Sequence, residues 1–183
     1  MVTLVKKSVT WWIIVCSALL VGCTEPTPQT PTNKQQQIDS LQQSLLLLNQ
    51  AFVELEIDEI KNHIASNQLD VSLTEDGYWY RIDQAGTGEK AKLNQIVEIE
   101  YQLALLDGTI CSTSQKNGTK KFRVGKFEVE KGLDDCIQLL SVGAEAICII
   151  PSFLAHGVVG DRNCIPPRTP IVYRIKVISI KDN

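Results

Sequence analysis

Apolar and polar positions change rhythm four times along the chain. Residues 10–22, TWWIIVCSALLVG, are uncharged and mostly apolar, with Lys6 and Lys7 just ahead of them. Residues 24–34, TEPTPQTPTNK, hold three prolines and no core-forming apolar side chain. Such a stretch reads as an extended tether. Residues 35–70 lack Pro and Gly altogether, and Ile38, Leu41, Leu45, Leu48, Phe52 and Leu55 step by three or four. A second set, Val53, Ile57, Ile60 and Ile64, repeats the step on a rotated face. This spacing predicts one long helix or two abutting ones, ending near Asn67. The stripe either packs on the domain that follows or pairs with a second copy of the chain.

After Asp70 the period falls to two. VSLTEDGYWYRI places a Glu-Asp-Gly turn between two strand-like pieces. In IVEIEYQLALL, Ile96, Glu98 and Glu100 alternate with Val97, Ile99 and Tyr101, the pattern of a half-buried strand. Asp107-Gly108 turns the chain, and KKFRVG is a short strand. LDDCIQLL aligns Leu133, Ile137 and Leu140 on one face of a short helix. AICIIP reads as a buried strand, VVGDRNCIPPRTP as a long loop, and IVYRIKVISI as a closing strand. Five or six strands and one short helix in residues 71–183 predict an antiparallel α+β domain with its own core.

Charge narrows the function. The 183-residue chain carries 21 acidic and 18 basic side chains. Without Lys6 and Lys7 the acidic excess rises from three to five, and no basic patch argues for nucleic acid. His63 and His156 are the only histidines, too few for a convincing metal site. No Ser-His-Asp set or phosphate loop stands out, so neither a metal nor another cofactor is expected.

The apolar run at residues 10–22 is too short to span a bilayer, which takes about 20 residues, and fits a secretory signal. It ends in Leu20-Val21-Gly22-Cys23, which resembles a bacterial lipoprotein box. The resemblance implies cleavage before Cys23 and lipidation of that residue; the alternative is an ordinary signal peptide with an incidental cysteine. Several acyl chains on one residue anchor stably where one would not. Thr24 follows Cys23 in place of the aspartate that retains lipoproteins at the inner membrane in enteric-type sorting. The expected organisation is therefore a lipoprotein signal at 1–22, a lipidated tether at 23–34, a helical segment at 35–70 and a domain at 71–183. That domain would face the periplasm from the outer membrane.

The pieces VEIEYQLALLDGT, FRVGKFEVEKGLDDCIQLLSVGAEAICIIP, LAHGVVG and IPPRTPIVYRIKVISI resemble, in order and spacing, the FKBP-type peptidyl-prolyl isomerase domain. GYWYRIDQAGTGE before them is similar to the lead-in strand of FKBP lipoproteins associated with gliding motility. The resemblance implies an FKBP-like antiparallel sheet wrapped around the short helix, with a shallow apolar pocket between them. It implies proline-containing exported polypeptides as substrates. Position by position, it puts Tyr101 on one pocket wall, Phe122 at its side, and Val129 and Glu130 at the edge. The Glu130 amide would bond a substrate backbone. Leu133 would be the floor, His156 a polar rim residue, Ile165 the loop lid and Tyr173 the far wall. Each aromatic also has a plainer reading as strand core.

The departures from the family pattern fall on the pocket. Leu133 stands for the usual tryptophan, Cys111-Ser112 for Phe-Asp, His156 for a tyrosine and Lys120 for an aromatic. His156 could still donate a hydrogen bond, and would make activity depend on pH. An exported chain keeps disulfides. With Cys23 lipidated and Cys16 cleaved away, Cys111, Cys136, Cys148 and Cys164 remain, and four cysteines allow three pairings. The resemblance sets Cys111 on one side of the pocket mouth and Cys164 on the loop just above it. The placement makes a bridge between them the expected pairing, with Cys136 and Cys148 either paired or buried as thiols. The plainer reading is four free, buried cysteines.

Overall fold

A computed structural model describes residues 32–182. The signal at 1–22, Cys23 and most of the tether lie outside the described residues. Among the described residues the chain divides into two units at Leu45. Helix α1 runs Thr32–Ser66. It begins inside the stretch expected to be tether, directly after Pro31, and ends beside Asn67, where the sequence places its end. The physical reason is local: no residue in this span is a proline or glycine, so nothing interrupts the backbone ladder.

Seven strands follow. They are β1 (Ser72–Leu73), β2 (Trp79–Gln84), β3 (Ile96–Leu105), β4 (Ile110–Thr113), β5 (Lys120–Arg123), β6 (Glu145–Ile150) and β7 (Ile171–Lys181). A single-turn helix α2 (Ser114–Asn117) lies between β4 and β5, and helix α3 (Lys131–Ile137) between β5 and β6. The sheet order is β1-β2-β6-β7-β3-β4, with β5 also pairing β3, and every pairing is antiparallel. β5 takes the β3 edge from Ile96 to Ile99, and β4 takes it from Gln102 to Ala104. The strand beyond the expected count is β4, a four-residue edge piece whose residues are all at least partly exposed. The second helix, α2, is capped by the Thr113 side chain, which accepts from Lys116 N, and closed by Gly118 at φ 80°.

Alternation sorts the side chains. Val97, Ile99, Tyr101 and Leu103 of β3 and Ile171, Tyr173, Ile175 and Val177 of β7 join one core with α3 residues Leu133, Cys136 and Ile137. On the opposite face, Ile147 and Ile149 of β6 pack with Trp79, Ile60, Ile57 and Ile64. Both faces of β6 are therefore covered, which explains its unbroken apolar run. From the second apolar set of α1, Ile57, Ile60 and Ile64 pack here. The first set is left outside, with Leu41 62%, Leu48 55% and Leu55 67% exposed.

The last half of α1 is also pinned by polar contacts. The buried Glu56 carboxylate accepts from Ser152 N, and from Ser152 Oγ at 2.6 Å. Ser152 opens a 3-10 turn, Ser152–Leu154, just before His156. α3 sits so close to β6 that a Cβ on Gly132 would lie 2.3 Å from Ile150 Cγ2. A glycine there lets the helix deliver Leu133 into the core beneath the neighbouring strands.

Candidate active site

The β3–β7 register sets Leu103 opposite Tyr173 and Tyr101 opposite Ile175, which brings the two tyrosine rings to a centroid distance of 6.2 Å. Beside them, β5 pairs Lys120 with Ile99 and Phe122 with Val97. Period two then turns Lys120 to the same face as Phe122. α3 supplies Leu133, and the loop before β7 supplies Ile165. Tyr101, Phe122, Leu133, Ile165 and Tyr173 all enter the main core cluster, and each is no more than 8% exposed. Val129 is half-buried against that cluster.

Between these walls sits a charged group of residues rather than an apolar hollow. The Lys120 ammonium lies 5.0 Å from the Tyr101 ring centre and 5.6 Å from that of Tyr173. It donates to Tyr173 Oη at 3.3 Å and stands 4.0 Å from Glu130 Oε2. The Tyr173 hydroxyl donates to Glu130 Oε1 at 3.2 Å. His156 Nε2 is 3.0 Å from the same oxygen, but off the hydrogen-bonding line, so this contact acts as an ion pair only when the ring is protonated. Glu130 Oε2 makes no hydrogen bond among the described residues. Burial, then the Glu130 charge and its hydrogen bond, hold the Tyr173 phenol well above the ordinary tyrosine range. It stays a neutral donor.

The expectation of an apolar pocket is corrected on this point. The apolar walls are present, but the Lys120 ammonium lies against the two tyrosine rings with the Glu130 carboxylate beside it. The Lys120 and Glu130 side chains are 28% and 11% exposed. The Glu130 side chain turns inward, and its carbonyl accepts from Asp134 N at 3.0 Å. Its own N–H precedes the first helical bond of α3, where no intrahelical acceptor exists.

The mouth is built by β4 and the loop before β7. Cys111 and Cys164 are joined by a disulfide with a Cα–Cα distance of 5.5 Å. Cys136 of α3 and Cys148 of β6, both fully buried, form a second one. Ser112, next to Cys111, contacts the Tyr101 hydroxyl at 2.9 Å and accepts from Asn117 Nδ2 at 2.8 Å. It therefore fixes the wall tyrosine. Asp161 shapes the loop: its Oδ1 accepts from the amides of Asn163, Cys164 and Ile165 at 2.7–2.9 Å. Burial pushes the Asp161 carboxyl up, yet the three amide bonds and the nearby His156 outweigh it, and the group lies below the usual carboxylate range. This cradle presents Cys164 to Cys111 and drives Ile165 inward.

Tyr101, Phe122, Val129, Glu130, Leu133, His156, Ile165 and Tyr173 thus come together around one site, with Cys111, Ser112 and Cys164 at its mouth. Lys120, which the sequence offers only as a departure from an aromatic position, takes a central place in the site. Its alternation with Phe122 was the available signal.

The FKBP-type peptidyl-prolyl cis-trans isomerase family model matches residues 87–178. The chain belongs to that family. It is 34% identical over 110 residues to the "Probable FKBP-type peptidyl-prolyl cis-trans isomerase FkpA" of Neisseria meningitidis serogroup B, which covers 60% of this chain and 40% of that protein. It is 32% identical over 106 residues to the "Outer membrane protein MIP" of Legionella longbeachae, covering 57% and 45%. The chain therefore spans less than half the length of these two relatives. In fold it is similar to the crystal structure of FkpA from Escherichia coli, with a TM-score of 0.63 and 21% identity. That likeness covers 97% of this chain and 82% of the other.

Proposed function

We propose that this protein is a peptidyl-prolyl cis-trans isomerase, tethered to the envelope through a lipid on Cys23, that acts on exported or envelope polypeptides. The observation that carries the reading is the convergence of Tyr101, Phe122, Leu133, Ile165 and Tyr173 around the start of α3, in a chain of this family. The chemistry asks little of side chains. Rotation about an Xaa-Pro bond faces a barrier of about 18–20 kcal/mol because resonance stiffens the C–N bond, while its two end states differ by about 0.5–1 kcal/mol. Catalysis needs no nucleophile or metal. It needs a site that favours the twisted amide, by holding the proline ring against apolar walls and offering donors to the displaced carbonyl. The Glu130 amide is the donor this reading assigns to the substrate backbone, and His156 a rim donor.

The relative named as an outer membrane protein supports an outer-membrane, periplasm-facing location. The exposed apolar stripe of α1 supports a homodimer. A second reading, a binding or chaperone module with weak chemistry, is favoured by one observation: the Lys120 ammonium lies over both the Tyr101 and Tyr173 rings, with the Glu130 carboxylate beside it.

The test is magnetisation exchange between the cis and trans signals of Xaa-Pro peptides in the presence of the full-length chain in detergent. The reading predicts faster exchange, lost when Tyr101 and Tyr173 are both replaced by alanine. Unchanged exchange with every peptide would leave the binding-module reading.

A further inference from the structure

The space between the two tyrosine rings already holds a cation, and that cation is the chain's own. Lys120 Nζ is flanked by the Tyr101 and Tyr173 rings, a phenolic oxygen and a carboxylate. Two aromatic faces and an anion attract an ammonium or guanidinium. For a proline ring to stack against those tyrosines, the Lys120 ammonium has to leave. Its four-carbon stem is partly exposed, so it can swing out to water at small cost. Glu130 cannot follow. Its side chain is 11% exposed, and its backbone is tied to the first turn of α3. Once Lys120 has left, the carboxylate keeps only the Tyr173 hydroxyl, and a charge contact to His156 when that ring is protonated. Glu130 Oε2 has no hydrogen bond even with Lys120 in place. Leaving a buried charge uncompensated is strongly unfavourable.

We infer that the preferred substrate is a proline flanked by lysine or arginine, whose cation takes the place of the Lys120 ammonium beside Glu130. The inference rests on the isomerase-pocket reading above and assigns a substrate class to it. Lys120 and Glu130 are then specificity determinants. Lys120 is a resting plug that only a ligand carrying its own cation displaces without penalty. A neutral neighbour leaves Glu130 alone in the pocket, and an acidic one adds a second negative charge beside it. The released Lys120 could pair with an acidic neighbour at the mouth, but Glu130 inside would still lack the ammonium it had.

The test is binding of a matched peptide set, Ala-Xaa-Pro-Phe with Xaa arginine, lysine, leucine or glutamate, plus a set carrying the same residues after proline. Each is titrated against the full-length chain in detergent, and cis–trans exchange is read in the same samples. Arginine or lysine next to proline should bind about ten-fold more tightly than leucine, and glutamate more weakly still. The basic-to-neutral ratio should shrink to within about two-fold in Glu130→Gln, whereas Lys120→Met, with no plug to displace, should bind every peptide of the set more tightly and keep the ratio. Equal or tighter binding of the leucine or glutamate peptides by the unmodified chain would overturn the inference, whatever the variants do. The two readouts separate the claims. A basic preference without faster exchange would sink the isomerase reading and keep the cation site; faster exchange without a basic preference would do the reverse.

Discussion

At the scale of single residues, the site turns on where a few polar atoms find partners. Tyr173 is fully buried, and its hydroxyl is bonded to both Lys120 and Glu130. Tyr173→Phe keeps the ring and removes that link, leaving a buried carboxylate with one donor fewer. The expected cost is about 1–3 kcal/mol, read as a lower denaturation midpoint with an unchanged slope. A change within about 0.5 kcal/mol would mean the hydroxyl does not hold the group together. Asp161 gives a pH prediction. Its carboxyl is lowered in the folded chain, so the stability it contributes is present above the ordinary aspartate range and lost as pH falls through the folded value. The amide signals of Cys164 and Ile165 should shift with a midpoint below that range, and the shift should vanish in Asp161→Asn. A midpoint at or above the ordinary value would contradict the amide cradle. Residue roles were only partly legible in the sequence. Lys120 could be placed by counting twos from Phe122. The inward turn of Glu130 could not, because a residue just before a helix can face either way. What draws it inward is a hydroxyl 43 positions later, which local patterning does not see.

At the scale of elements, strands with strict alternation were the easiest to read. β3 and β7 announce themselves through Val97, Ile99 and Tyr101, and through Ile171, Tyr173 and Ile175. β4 does not, since a four-residue edge strand has no room for a pattern. α2 is one turn long, too short for a helical period, though Thr113 and Gly118 mark both its ends. α1 starts ahead of its apolar stripe because no helix breaker follows Pro31, while Thr32, Asn33 and Lys34 share the polar composition of the tether. The link between β4 and the loop before β7 is the Cys111–Cys164 bridge, which closes a long segment of chain. Replacing both cysteines with serine should cost about 2–4 kcal/mol. Alkylation under non-reducing conditions, followed by peptide mapping, should recover Cys111 and Cys164 as one linked pair. Recovery of both as free thiols would remove the bridge from the account.

At the scale of the whole molecule, α1 presents two apolar faces, and the two have different fates. Ile57, Ile60 and Ile64 are used against the sheet. Leu41, Leu45, Leu48, Phe52 and Leu55 stay 46–67% exposed. A row of leucines left in water is unfavourable, and a second copy of the helix would cover it. Sedimentation of the full-length chain in detergent should therefore give a dimer, and Leu48→Glu with Leu55→Glu should give a monomer. A monomer before mutation would contradict the pairing. No helix among the described residues is long and apolar enough to cross a membrane. The sequence could show that both stripes exist; it could not say which one the sheet takes, because that depends on where Trp79 and Ile149 come together.

The account's central claim is that the altered pocket still turns Xaa-Pro bonds. The most direct measurement is the cis–trans exchange rate of proline peptides with the full-length chain, first as isolated and then after reduction of its disulfides. The account predicts acceleration as isolated, with the Cys111–Cys164 bridge intact and the pocket mouth held in shape. No acceleration in either state would contradict it.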